Sequence, residues 1–146
     1  MYKRIVVGTD GSETAQEAVR QAADLAKSTG ASLDIVSAYG GDTGDGSTRL
    51  QKVDRPADVP ESEREQVTFA LDSASGIAKR DGVEVQAHAE EGDPADAIIS
   101  VAERVEADVI VVGNKGMTGA RRFLLGSVPN KISHHAPCSV FIIRTT

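Results

Sequence analysis

The sequence predicts an α/β domain in which a five-stranded parallel sheet carries helices on both of its faces. Five apolar runs of strand length alternate with longer stretches in which apolar residues recur at helical spacing. Strands separated by helices pair in parallel, and right-handed crossovers bring the helices over the sheet. A chain of 146 residues suits one such unit. We therefore expect residues 1–146 to form a single domain.

The first strand and the first helix have the clearest patterns. RIVVGT (4–9) is a β-branched run that ends in a turn signal, which predicts a buried strand. Ser12 precedes the helical stretch ETAQEAVRQAADLAKST, and Gly30 is placed to end it. The apolar residues of this stretch that share one face are Ala15, Ala18, Val19, Ala22 and Leu25.

The next three elements follow the same alternation. SLDIVSAY (32–39) predicts the second strand, and VTFALDSASGIAKRDG (67–82) predicts a second helix that ends at a glycine. VEVQAHAE (83–90) alternates between apolar and polar residues, which predicts a third, partly exposed strand.

Residues 40–60 interrupt this rhythm. They are rich in Gly, Asp, Ser and Pro, with few apolar residues, which predicts a long flexible loop. Two interpretations remain open. The loop is either a tolerated insertion or a flap over a ligand, since it leaves from the carboxyl end of the second strand.

The last third of the chain completes the sheet. PADAIISVAERVE (94–106) predicts a helix opened by proline, and ADVIVVG (107–113) predicts the fourth strand. A final helix begins near Ser127, and SVFIIR (139–144) predicts the fifth strand. In open parallel sheets ligands bind beyond the carboxyl ends of the strands, where the strand order reverses. The ends of strands one, two and four are therefore the places to look for function.

Composition excludes several classes of protein. The net charge is −6 and no basic stripe is present, which argues against binding to nucleic acid or to an anionic membrane. No apolar run approaches the length of a membrane span, and MYKRIVV lacks the cleavage region of a signal peptide. Cys138 is the single cysteine, which excludes an intrachain disulfide and is compatible with a reducing compartment. We expect a cytoplasmic protein.

A glycine cluster stands out in GNKGMTGARRFLLGS (113–127). Gly113 ends the fourth apolar run, Gly116 follows it closely, and Gly126 precedes Ser127, which is predicted to be the N-cap of the last helix. A helix N-terminus attracts phosphate, and glycines let phosphate oxygens approach the backbone amides. The alternative is that these glycines serve only turns and a helix cap.

This cluster matches Gly-x2-Gly-x9-Gly-Ser, the nucleotide-binding signature of the universal stress protein family, and the chain resembles the ATP-binding subgroup of that family. The resemblance covers nearly the whole chain. It is carried by four segments in order, RIVVGTDGSETA (4–15), EGDPADAI (91–98), LLGSVPNKI (124–132) and PCSVFIIR (137–144). It implies an open, Rossmann-like sheet similar to adenine nucleotide alpha hydrolases, with strand order 3-2-1-4-5.

The resemblance also implies a ligand and the residues that bind it. The expected ligand is ATP, or cyclic AMP as the alternative, with Mg²⁺ or Mn²⁺ on the phosphates as a further option. Thr9 and Asp10 would face the nucleotide, Asp10 near the ribose or the metal, and the backbone of Ala38 would meet the adenine. Val112 and Gly113 would line the ribose side. The residues expected around the phosphates are Gly116, Gly126, Ser127 and Val128.

Two other interpretations compete, and a third is excluded. Asp10 precedes a glycine, so it could be only a turn residue that accepts hydrogen bonds from nearby amides. A flavodoxin-like FMN protein is an alternative because GTDGSET loosely resembles a hydroxyl-rich phosphate loop. Aromatic residues, on which flavins usually stack, make up 3% of the chain, with Tyr39 near a strand end. A P-loop ATPase is excluded, since GxxxxGK[ST] is absent.

No pairing of a nucleophile with a base is evident, so we expect a nucleotide-binding protein of the stress response with at most slow ATP hydrolysis. His88 is predicted to be a surface residue of the third strand. His134 and His135 are placed near the end of the last helix, where a cationic ring favours the helix dipole. Cys138 is predicted to belong to the core rather than to a catalytic site.

The fifth strand predicts self-association. SVFIIR (139–144) is strongly apolar, yet the strand order implied by the resemblance places it at an edge of the sheet. An open apolar edge invites uncontrolled pairing, and proteins normally cover it. Many members of the family dimerise through this strand, so the resemblance implies a homodimer.

Overall fold

The computed structural model describes residues 2–40, 61–114 and 126–145, with the backbone alone at Glu61. The described part of the chain contains five strands and four helices in alternation. They are β1 (Arg4–Gly8), α1 (Glu13–Thr29), β2 (Ser32–Gly40), α2 (Glu61–Arg80), β3 (Val85–Gly92), α3 (Pro94–Val105), β4 (Val109–Gly113), α4 (Ser127–His135) and β5 (Ser139–Ile143). All pairings are parallel and the order is β3-β2-β1-β4-β5, which confirms the predicted fold class.

The core has two layers, one on each face of the sheet. Side chains alternate along β1, so Ile5 and Val7 pack with α1 and α2, whereas Val6 packs with α3 and α4. All three residues are fully buried. The central strands are apolar on both faces because helices cover both, as parallel sheets require. Cys138 lies partly buried against the second layer, as predicted, and burial raises the pKa of its thiol.

The start of α2 and both ends of β3 differ from the sequence prediction. α2 begins at Glu61, before the predicted start at 67. Its first residues, ESEREQ, are polar and carry no apolar period that could mark a helix. The Glu63 carboxylate accepts a hydrogen bond from the Gly40 N–H, which ties the start of α2 to the end of β2. β3 runs from Val85 to Gly92 rather than from 83 to 90. It starts later because the Val83 N–H donates to the Ala78 carbonyl of α2, at 3.3 Å.

A buried charge lies under α3, and it corrects the prediction for His88. Asp34 on β2 is 1% exposed. It accepts hydrogen bonds from Arg4 Nη2 at 3.2 and 3.3 Å, and its Oδ1 lies 2.9 Å from Nε2 of His88 on β3. His88 is therefore not a surface residue. The alternation along β3 correctly indicated a partly exposed strand, but it could not reveal a partner on the neighbouring strand.

The two edges of the sheet differ in chemistry. β5 forms one edge and pairs with β4, and its Ile142 side chain is 39% exposed. β3 forms the other edge, where Gln86 and Glu91 are exposed. No helix in the described ranges is long and apolar enough to cross a membrane. The predicted loop at 40–60 begins at Gly40, the last residue of β2, and its remainder, with the proposed flap, lies outside the described residues.

Candidate functional site

A cleft opens at the carboxyl ends of β1, β2 and β4. β1 is hydrogen-bonded to β2 on one side and to β4 on the other, so the chain connections diverge there and leave a crevice above the sheet. The empty space in this cleft is about 570 Å³, including a part open to solvent. A crevice in this position is where open α/β sheets bind small molecules.

The walls of the cleft are aliphatic. β2 contributes Val36 and Ala38, β4 contributes Val112, and α3 contributes Ile98. Gly8 explains how Ile98 reaches this place, because a Cβ atom on Gly8 would lie 2.3 Å from Ile98 Cδ1. A side chain at position 8 would collide with Ile98. Because Gly8 has no side chain, Ile98 can pack over the end of β1 and complete the apolar wall. Such a wall suits a flat heterocycle.

The loop between β1 and α1 supplies a polar rim. Thr9 is buried and its Oγ1 accepts a hydrogen bond from the Gly11 N–H at 3.1 Å. Asp10 Oδ1 accepts one from the Ser12 N–H at 2.9 Å. Gly11 has φ +84°, a conformation that glycine adopts without strain. Asp10 therefore has the turn role considered above, and it also lines the cleft.

Three helices begin at the cleft. The residues of their first turns and caps that line it are Ser12, Thr14 and Ala15 for α1, Pro94 for α3, and Val128 and Pro129 for α4. Helix N-termini present unpaired N–H groups and the positive end of the helix dipole. Their convergence makes this end of the sheet attractive to an anion such as a phosphate.

A salt bridge holds two of these helix starts together. Lys131 Nζ of α4 lies 2.9 Å from Asp96 Oδ1 and 3.5 Å from Asp93 Oδ2, both at the start of α3. The hydrogen bond to Asp96 raises the pKa of Lys131. Asp93 is also the N-cap of α3 and accepts from the Asp96 N–H at 3.2 Å. These contacts join α3 to α4 beside the cleft, although exposed ion pairs of this kind contribute little stability.

Most of the residues predicted to bind a ligand meet at this cleft. Those that line it are Thr9, Asp10, Ala38, Val112, Gly113 and Val128. Gly126 is the N-cap of α4, so the predicted cap at Ser127 is wrong, and Ser127 is the exposed first residue of the helix. The physical reason is that the extended backbone of Gly126 precedes the helix directly, without a side-chain cap. Gly116 lies outside the described residues.

Several lining residues were not predicted. They are Gly8, Ser12, Thr14, Ala15, Val36, Pro94, Ile98 and Pro129. Gly8 could have been found from its place at the end of strand one, whereas Val36, in the middle of β2, lies level with Gly8 only through the register of the sheet. Ile98 had no such signal, because an apolar residue at helical spacing looks like any core residue. His134 and His135 lie in the last turn of α4, as predicted, and are exposed. The described residues contain no cluster of three or more His, Cys, Asp or Glu that could hold a metal ion.

Comparison with known proteins gives consistent matches over nearly the full chain. The model of the universal stress protein family matches residues 1–144. A universal stress protein of Methanocaldococcus jannaschii is 34% identical over 99% of this chain and 83% of its own length. One from Mycobacterium tuberculosis is 37% identical over 99% of this chain and 98% of its own length. A crystal structure of a universal stress protein in complex with cAMP has a TM-score of 0.79 at 33% identity, covering 99% of both chains.

Proposed function

This chain belongs to the universal stress protein family, and from that premise we propose that it binds an adenine nucleotide, with ATP as the first candidate. The observation that carries the proposal is the cleft at the carboxyl ends of β1, β2 and β4. It combines aliphatic walls, a polar rim and three helix N-termini. A related structure at 33% identity holds cAMP, which supports an adenine nucleotide as the ligand class.

The cleft suggests a place for each part of the nucleotide. The adenine would lie between Val36, Ala38 and Ile98, where apolar contacts favour a flat base. The ribose would lie beside Asp10 and Gly113. The phosphates would meet the amides at the start of α4, next to Gly126 and Val128.

A divalent ion fits this arrangement through Asp10. Mg²⁺ bound with a nucleotide usually takes one or two carboxylates and completes its coordination with phosphate oxygens and water. Asp10 is the one carboxylate among the described residues that line the cleft, so it would hold Mg²⁺ or Mn²⁺ there. The ion would neutralise phosphate charge in an otherwise acidic protein.

We propose a binding role in a cytoplasmic stress response rather than a fast enzyme. Asp10 is the sole titratable side chain among the described cleft residues, and its Oδ1 accepts the Ser12 N–H. With Asp10 on the metal ion, the described cleft residues would offer no other titratable side chain as a general base. ATP hydrolysis would therefore be slow at most.

Calorimetry with ATP, cyclic AMP, GTP and FMN, with and without Mg²⁺, tests the proposal. We expect ATP to bind with a clear preference over GTP and FMN, and Mg²⁺ to strengthen its binding. Tighter binding of cyclic AMP than of ATP would favour the second candidate, which the cAMP complex of the relative supports. Binding of FMN without adenine nucleotides would overturn the proposal. Tyr39 is not among the described residues that line the cleft, so no described aromatic ring is placed to stack on a flavin.

We also propose that two copies pair through β5. Its edge has backbone N–H and C=O groups directed away from β4, and Ile142 is exposed beside them. Pairing with the same strand of a second copy would satisfy those groups in a closed two-fold assembly. The alternative is a monomer in which α4 shields the edge.

Replacing Ile142 by lysine is expected to convert the dimer to a monomer, because a charged side chain would be placed in the apolar interface. Light scattering at micromolar concentrations measures the mass. Gln86→Lys, on the edge strand at the other side of the sheet, is the matched control and should leave the dimer intact. A monomeric mass for the unaltered protein would refute dimerisation.

A further inference from the structure

Asn114 lies where three parts of the chain meet beside the cleft. It directly follows Gly113, the last residue of β4. Its backbone N–H donates to the Ile143 carbonyl at 2.8 Å, and its carbonyl accepts from the Gly126 N–H at 3.1 Å. Its side-chain Oδ1 accepts from both the backbone N–H and the hydroxyl of Thr145, each at 3.0 Å. We call Asn114, Gly126, Ile143 and Thr145 the Asn114 clamp.

From these contacts we infer that Asn114 is a positioning residue for the nucleotide site, held in place by the segment that follows β5. The bond from the Gly126 N–H brings the N-cap of α4 next to the end of β4. Gly113 and Val128, on the two sides of this contact, both line the cleft. The separation of the ribose side from the phosphate side is therefore set at Asn114. The effect on affinity rests on the function proposed above.

The Asn114 side chain supports the inference because its hydrogen bonds require an acceptor at this position. Both Thr145 groups donate, so Asn114 must present an acceptor, and one oxygen receives both bonds. These bonds join Asn114 to a residue 31 positions along the chain, in addition to the backbone bond from Gly126. Without them, Asn114 would keep its strand bond to Ile143 but lose the support that orients its carbonyl toward Gly126.

Paired variants separate this role from general stability. Asn114→Leu removes the acceptor at similar size, whereas Asn114→Asp keeps an oxygen that can accept both bonds. Thr145→Pro removes both donors, since proline has no N–H, whereas Thr145→Ser keeps both. None of the four changes alters a residue that lines the cleft. Two readouts are needed, which are the exchange rate of the Gly126 amide hydrogen without ligand and the affinity for ATP.

We expect Asn114→Leu and Thr145→Pro to increase the exchange rate of the Gly126 amide hydrogen. Both should also weaken ATP binding by about tenfold, or 1.4 kcal/mol. A loss of this size is comparable to the contribution of two hydrogen bonds. Asn114→Asp and Thr145→Ser should stay close to the unaltered protein in both readouts. The double variant Asn114→Leu/Thr145→Pro should bind no more weakly than either single variant, because both remove the same bonds.

Two results would overturn the inference. Unchanged Gly126 exchange in Asn114→Leu would show that the side chain does not support the contact. Faster exchange with unchanged ATP affinity would show that the contact does not position the site. If the unaltered protein bound no adenine nucleotide, the proposed function would fail, while the exchange measurement would still decide whether the clamp exists.

Discussion

Gly126→Val is expected to weaken adenine-nucleotide binding by at least about tenfold, or 1.4 kcal/mol, in a protein that still folds. Gly126 has φ −62° and ψ 165° as the N-cap of α4, an extended conformation that any residue can adopt. Valine therefore brings no backbone strain. Its methyl groups would instead stand beside the first-turn amides of α4, where the phosphates are proposed to bind.

Calorimetry with ATP measures the loss, and circular dichroism checks the fold. Gly76→Val is the matched control, because an added Cβ at Gly76 on α2 would meet nothing within 4 Å. It should bind ATP as the unaltered protein does. Equal affinity in a folded Gly126→Val protein would mean that the glycine serves only the turn.

Asp34→Ala is expected to cause the largest loss of stability, about 3 kcal/mol. Removing one member of a buried ion pair leaves its partners without compensation, which typically costs about 3–5 kcal/mol. The lower figure applies because the Arg4 side chain is 38% exposed and can regain water. His88 would lose the same partner, at 17% exposure.

Thermal and urea unfolding measure this effect, which corresponds to a fall of roughly 10 °C in the melting temperature. Asp24→Ala, at an exposed position of α1, is the control and should change stability by less than about 0.5 kcal/mol. A loss that small for Asp34→Ala would show that the buried charge is dispensable. Replacing Arg4, Asp34 and His88 together by apolar residues should recover much of the loss.

The fold could be predicted from the sequence because the main helices and strands have recognisable hydrophobic patterns. β1 and β4 are β-branched runs, and α1 has an apolar face between a serine cap and a glycine stop. The first turns of α2 could not be predicted, since their polar residues are held by a contact from Glu63 to the end of β2. That contact joins residues that are distant in the chain.

The site was predictable where it consists of strand ends and glycines, such as Asp10 and Gly113. It was not predictable where it depends on shape. Ile98 reaches the cleft only because Gly8 has no side chain, and neither residue reveals this alone. The pairing of Asp34 with His88 could not be predicted either, because it depends on the register of two neighbouring strands.

The two edges of the sheet differ in polarity, and this difference would limit how many copies can associate. A sheet that was adhesive at both edges could add copies without limit and form a fibre. The β3 edge instead exposes Gln86 and Glu91, and burying a carboxylate against an apolar strand such as β5 is costly. Joining β5 of one copy to β3 of the next is thus disfavoured. Growth would then stop at a pair, so the protein could reach high concentration without polymerising.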